Sequence, residues 1–292
     1  MRMVMYGDCG EERLGVDVGD KIMDVHVASQ GMLPDNMIEL LEGDAIDRLQ
    51  DLVIKYNEND AERTALIEKD GLRIGAPVPC PRSIVCVGLN YKDHAAESGL
   101  EIPPEPLLFS KSSSCVVGPF DDIAHPLVTE QFDYEVELAV VIGKKAKDVS
   151  EAESYNYVAG YTAFNDVSAR DLQFSEPQWF RAKSLDGSGP MGPFLVTKDE
   201  VSDPNNLNVS LSLNGEMRQQ SNTVHLGFNV PQLVSFISHS MTLRPGDIIS
   251  TGTPSGVGFA SDPPRFLKPG DLMETTVEGV GVMRNRIIAA NG

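Results

Sequence analysis

The chain has 292 residues, 41% hydrophobic and 23% charged, enough to bury one large core or a small one beside a large one. Its 24 basic and 43 acidic side chains give a formal net charge of −19, which argues against nucleic acid and anionic membranes as partners, because both demand a cationic face. No apolar run approaches the ~20 residues of a membrane span, the N-terminus lacks an apolar leader segment, and Cys9, Cys80, Cys86 and Cys115 form no CxxC pair, so a reducing cytoplasm without disulfides or structural zinc is expected.

Residues 1–70 read as a small α+β unit. Val4–Tyr6 and Leu14–Val18 are predicted strands, each next to a Gly-Asp turn, and Ile22–Val25 is a candidate third. Asp35 or Asn36 can cap a helix over Met37–Leu41 that Gly43 ends, and a helix pair is predicted between Ala45 and Glu68. Residues 71–82 then carry Pro77, Pro79 and Pro81 at alternate positions. Proline removes donors and forces extended backbone, so this stretch reads as the linker to a second domain over 83–292.

Short β-like runs dominate that second part: Ile84–Val87, Leu107–Phe109, Tyr134–Ile142, Val158–Asn165, Phe194–Thr197, Asn208–Leu213, Asp247–Thr251 and Leu272–Val277. Two helices stand out, Tyr91–Ser98 and Val230–His239, the latter with Pro231 in its first turn. Strands without regular βαβ alternation exclude a doubly wound sheet and predict a β-rich α+β fold.

Glu135 and Glu137 open the aliphatic run Val136–Ile142. On a strand they share one face, where like carboxylates need a shared proton, a basic partner or a metal cation, unless both face solvent at a frayed end. Asp166 ends the apolar run 161–165 and offers a third carboxylate. Three carboxylates from two strands suit Mg²⁺ or Mn²⁺, and no His or Cys lies near enough in sequence to favour zinc. If Tyr91–Ser98 is helical, His94 and Glu97 stand at i and i+3 on one face; that is a candidate general base with its orienting partner, or an ordinary surface ion pair. Segment 99–106 behind them, with Pro103, Pro104 and Pro106, is where a lid would be placed. In so acidic a chain Arg181 and Lys183 beside the loop at 186–190 are candidates for an anionic substrate or a developing enolate, with exposed surface cations as the alternative, and Lys111 is open to the same two readings. Residues 247–258 form a strand entering a glycine-rich loop with Thr253. No GxxxxGK[ST] or GxSxG pattern is present, and no GxGxxG stands between a strand and a helix, which leaves no signature for a phosphate loop, a nicotinamide cofactor or a serine hydrolase.

The blocks VGLNYKDHAAE (87–97), LLFSKSSS (107–114), DYEVELAVVIG (133–143), YTAFNDVSARDLQ (161–173), AKSLDGSGPMGP (182–193), LRPGDIISTGTPSGVGF (243–259) and LKPGDLMETTVEGVG (267–281) together resemble the fumarylacetoacetate hydrolase family, nearest its shorter, acylpyruvase-like members. The resemblance covers nearly all of 83–288 and none of 1–70. It implies a roll of mixed β-sheets, a homodimer, and a triad of Glu135, Glu137 and Asp166 holding Mg²⁺ or Mn²⁺. It also implies that His94 and Glu97 are the base pair, that Lys183 stabilises an enolate, and that Arg170, Gln173 and Thr253 contact substrate carboxylate or keto oxygens. The activity so implied is hydrolytic C–C cleavage of a 2,4-dioxo acid (an acylpyruvate or a 2,4-diketo-3-deoxy sugar acid) through an enolate held by the metal. The same site would equally serve oxaloacetate decarboxylation or isomerisation of hydroxymuconate-type diacids, and a non-catalytic metal- or carboxylate-binding protein would need a lost base.

Overall fold

A computed structural model describes residues 1–58 and 65–290 of the chain. The N-terminal part contains β1 (Arg2–Tyr6), β2 (Arg13–Asp17), β3 (Lys21–Asp24), α1 (Val25–Ala28), α2 (Met37–Glu42), α3 (Ile46–Glu58), β4 (Leu66–Glu68) and β5 (Ile74–Gly75). Next come β6 (Ile84–Gly88), α4 (Lys92–Glu97), β7 (Leu107–Lys111), β8 (Val116–Val117), β9 (Ile123–Ala124), β10 (Phe132–Asp133), β11 (Val136–Ile142), β12 (Val158–Asn165) and β13 (Ser168–Ala169). The chain ends with α5 (Arg170–Ser175), α6 (Phe180–Lys183), β14 (Gly189–Thr197), β15 (Asn208–Leu213), β16 (Glu216–Asn222), α7 (Val230–Ser240), β17 (Ile248–Ser250), β18 (Leu272–Val277) and β19 (Gly281–Ile288).

Among the described residues the largest sheet runs β4-β3-β2-β1-β14-β12-β11-β17-β6-β7, a second runs β16-β15-β18-β19-β9, and β10 pairs with β13 alone. The fold is α+β and β-rich, as predicted. The N-terminal segment continues the main sheet: β1 pairs antiparallel with β14 through Arg2↔Val196 and Met3↔Leu195. Its apolar residues Met3, Leu14, Leu40 and Leu49 share one core with Ile84, Cys86, Val141 and Ile248.

Strand β11 shows why both faces of the main sheet are apolar. Leu138, Val140 and Ile142 point into the core shared with the second sheet, where Val209, Leu211, Met273 and Val277 meet them. Ala139 and Val141 point to the opposite core. A strand covered on both faces reads as a continuous aliphatic run, and Glu135 and Glu137 belong to the Ala139 face by the two-residue period.

Several expected elements differ. Of the helix pair expected over 45–68, the described residues show α3; Leu66–Glu68 form a strand on β3 through Ile22↔Ile67 instead of helix, and positions 59–64 lie outside the described residues. Val25 opens α1 rather than ending a strand, because the Asp24 side chain caps it by accepting from Val27 N. Asn36 caps α2, accepting from Glu39 N at 2.9 Å. Strand β14 starts five residues before the expected Phe194: Gly189, Pro190, Gly192 and Pro193 read as a loop, but β8 and β12 supply its partners. Residues 216–222, outside the predicted strands, form β16 in a hairpin with β15.

Gly160 lies where β12 crosses β14, and a Cβ there would stand 2.0 Å from the Val196 carbonyl oxygen. Backbone cannot yield that far, so Gly160→Ala is expected to cost about 3 kcal/mol, read as a lower denaturant midpoint. A midpoint equal to that of the wild type would show that the two strands part freely.

Candidate active site

The candidate site sits where β11 and β12 end side by side. Asp166 N donates to Glu135 O at 2.9 Å, continuing the pairing one step past Val136↔Asn165. That register sets Asp166 across from Glu135 and Phe164 across from Glu137, so all three carboxylates fall on one face. Each offers an oxygen, and the three lie within 4.8 Å of one another, all buried. The solvent-facing alternative for Glu135 and Glu137 is thereby excluded.

Buried cations surround the trio. Lys183 Nζ donates to Glu135 Oε2 at 2.7 Å and to Asp166 Oδ2 at 2.8 Å. Lys111 Nζ, at the end of β7, donates to Asp166 Oδ1 at 2.7 Å and to the Val167 carbonyl at 3.2 Å. Arg170 opens α5; its Nη2 lies 2.6 Å from Glu135 Oε1, its Nε donates to Asp133 Oδ2 at 2.8 Å and its Nη1 to Gln173 Oε1 at 2.9 Å. Burial alone would raise the Glu135 pKa, but Arg170 and Lys183 hold it down at about 2. Lys183 stays charged despite its burial because Asp166 and Glu135 raise its pKa.

Glu137 is different. Its Oε2 accepts only from neutral donors, the Ser250 hydroxyl and Gly252 N. Burial, then repulsion from Asp166 and Glu135, pushes its pKa well above the ordinary carboxylate value. With Asp133, Glu135, Glu137 and Asp166 all ionised against Lys111, Arg170 and Lys183, the cluster is one positive charge short, and Glu137, without a cationic hydrogen-bond partner, is where that deficit falls. A divalent cation corrects the shortfall and leaves one positive charge over. The donor set is all oxygen, which fits a hard ion such as Mg²⁺ or Mn²⁺. Accordingly, Mn²⁺ or Mg²⁺ is expected to raise the melting temperature as any ligand selective for the native state does, and EDTA to reverse the rise. No shift at millimolar metal would refute the ion site.

A cavity of about 260 Å³ opens onto this cluster. Its walls carry Glu135, Glu137, Arg170, Gln173, Lys183 and Thr253 on the polar side. Phe109, Trp179, Phe174 and Phe259 are on the apolar side. His94 lines it too; its Nδ1 lies 3.4 Å from Glu97 Oε2, so the i, i+3 pairing on α4 is present. Glu97 does not reach the cavity wall and is anchored by Gly256 N, which donates to its Oε1 at 2.9 Å. The nine residues that the resemblance assigns to the site therefore converge on one region, as does Lys111, which the structure buries against Asp166 rather than on the surface; Asp133, which holds Arg170, was not singled out. Arg181 does not join them; it pairs with Glu176 on an exposed surface.

The model of the "Fumarylacetoacetate (FAA) hydrolase C-terminal" family matches residues 83–288. Oxaloacetate tautomerase Fahd2a, mitochondrial, of Rattus norvegicus is 41% identical over 293 residues, which are 99% of this chain and 92% of that one. A putative HpcE protein from Mycobacterium smegmatis has a similar structure, with a TM-score of 0.86, 38% identity and full coverage of both chains. Maleylpyruvate hydrolase from Sphingobium sp. SYK-6, solved with manganese(II) and pyruvate, matches with a TM-score of 0.82 at 30% identity, again over both whole chains.

Proposed function

This chain belongs to the fumarylacetoacetate hydrolase family, and on that premise we propose that it catalyses keto–enol interconversion of a small anionic 2-oxo acid of the oxaloacetate type. The observation that carries this reading is the charge count: the buried cluster is one cation short alone and has one positive charge over with a divalent ion, so metal loading turns it into an anion site. The cavity, near 260 Å³, falls below the roughly 300–1,000 Å³ typical of drug-sized ligands, which suits a substrate of a few carbons. The rat relative named an oxaloacetate tautomerase supports the same choice.

Glu135, Glu137 and Asp166 would hold the ion, Mg²⁺ or Mn²⁺. When bound, it supplies positive charge beside a carboxylate and a 2-oxo oxygen. Lys183 spends two of its N–H donors on Glu135 and Asp166, and the third is free to face charge developing on the 2-oxo oxygen. His94, its Nδ1 turned to Glu97, offers Nε2 to take a proton from C3. The C–H electron pair then moves into the C2–C3 bond and the carbonyl pair moves onto oxygen, which accepts a proton to give the enol. Gln173, whose Oε1 is fixed by Arg170, keeps its amide N–H groups for the substrate carboxylate.

The apolar wall of Phe109, Phe174, Trp179 and Phe259 favours a second reading, hydrolytic C–C cleavage of an acylpyruvate with an apolar tail, for which the same residues would stabilise the leaving enolate. The deciding experiment incubates the Mg²⁺-supplemented protein with enol-oxaloacetate, acetylpyruvate and a 2,4-diketo-3-deoxy sugar acid in parallel. Faster loss of enol absorbance without pyruvate release is expected. Pyruvate and acetate release from acetylpyruvate at higher kcat/KM would replace the first reading by the second.

A further inference from the structure

Strand β16 brings a buried glutamine into this region, and its bonding is fully determined. Gln219 Oε1 accepts from Val136 N at 2.9 Å, the backbone amide lying between Glu135 and Glu137. Its Nε2 donates to Thr253 Oγ1 and to the Pro254 carbonyl, each at 2.9 Å. The Val136 N–H needs an acceptor and the Pro254 carbonyl needs a donor, so the side chain has only this orientation. Thr253 Oγ1 therefore spends acceptor capacity on Gln219, and its own O–H remains to be donated. Thr253 lines the cavity. Around it, the loop is pinned at both ends: Gly252 N donates to Glu137 Oε2 at 2.8 Å and Gly256 N to Glu97 Oε1 at 2.9 Å. Gly256, at φ +97°, lies so close to β16 that a Cβ would stand 2.0 Å from the Arg218 carbonyl oxygen.

We propose that Gln219 is a positioning residue that aims the Thr253 hydroxyl into the cavity as a hydrogen-bond donor to the carboxylate of the bound 2-oxo acid. The inference rests on the reading of the cavity as a 2-oxo acid site. It acts on the substrate's anionic end, separately from the acid–base work of His94.

The test measures oxalate binding to the Mn²⁺-loaded protein by calorimetry, which requires no turnover. Thr253→Val is expected to weaken oxalate by about tenfold, the usual loss for one hydrogen bond to a charged group, and Gln219→Met by a similar factor. Since one residue works through the other, the double variant should bind no more weakly than either single variant, within about twofold. Gln219→Glu, which keeps an acceptor for Val136 N but presents an acceptor to Thr253, should also lose oxalate binding and guards against misfolding of the methionine variant. Losses that multiply in the double variant, unchanged oxalate binding in Gln219→Met, or a Mn²⁺ Kd that rises in step with the oxalate Kd would each overturn the positioning role. If the wild type with Mn²⁺ bound fails to take oxalate, the 2-oxo acid reading falls and this inference with it, whereas the other outcomes remove the inference alone.

Discussion

Asp166→Ala and Glu137→Gln are expected to abolish the metal-induced rise in melting temperature equally but to move the metal-free protein very differently. Asp166 is fully buried and accepts from two buried ammonium groups, Lys111 at 2.7 Å and Lys183 at 2.8 Å. Deleting it strands both cations, leaving Lys183 only Glu135 and Lys111 only a backbone carbonyl. Breaking a buried pair in this way costs about 3–5 kcal/mol, which is a fifth or more of the roughly 5–15 kcal/mol that holds a typical domain folded. Glu137 has no cationic partner and is repelled by Asp166 and Glu135. Glutamine keeps its shape and one acceptor while removing the like charge, so the metal-free Glu137→Gln protein should be as stable as the wild type or more so. Thermal melts with and without Mn²⁺ check both. If Glu137→Gln keeps the metal shift, or if Asp166→Ala melts with the wild type, the electrostatic account of the cluster is wrong.

That contrast also shows which parts of the site sequence alone could reveal. The shared face of Glu135 and Glu137 follows from the two-residue strand period, and the aliphatic run after them signals burial, so their conflict is visible without coordinates. The i, i+3 spacing of His94 and Glu97 is visible in the same way. Asp166 is legible as the acidic end of an apolar run, but that it stands across from Glu135 depends on a register only pairing defines. Lys111 is visible only as a cation with two readings, for a stronger reason: β17 and β6 stand between β11 and β7, and nothing local says which sheet position β7 takes. Gln219 lies outside the predicted strands, because MRQQSN lacks the apolar alternation of a strand; β16 is an edge strand, and its hairpin with β15 rather than its composition holds it extended. The N-terminal strands are similar: their residues predict β structure, but joining β1 to β14, nearly two hundred residues away, is a long-range contact that no window contains.

His94→Ala should leave the architecture and metal binding intact while removing proton transfer. Its imidazole is almost completely buried, lines the cavity, and contacts Glu97 rather than any of the three clustered carboxylates. Loss of a positioned acid–base group lowers rates by roughly 10²–10⁴, so enol-oxaloacetate turnover should fall by that factor while the Mn²⁺ melting shift persists. Glu97→Gln retains a hydrogen-bonding side chain beside Nδ1 but removes the charge that favours the imidazolium, and its rate should lie between the two. This order separates the chemistries the family supports. Interconversion of keto and enol forms needs a proton moved at C3, and C–C hydrolysis needs a water deprotonated, so both fail without the imidazole. Decarboxylation of oxaloacetate needs neither, since the departing carboxylate leaves its electron pair at C3, and it should survive in His94→Ala to the extent that the loaded cluster accepts the developing enolate. A variant that tautomerises oxaloacetate at the wild-type rate would remove His94 from the proposed proton path.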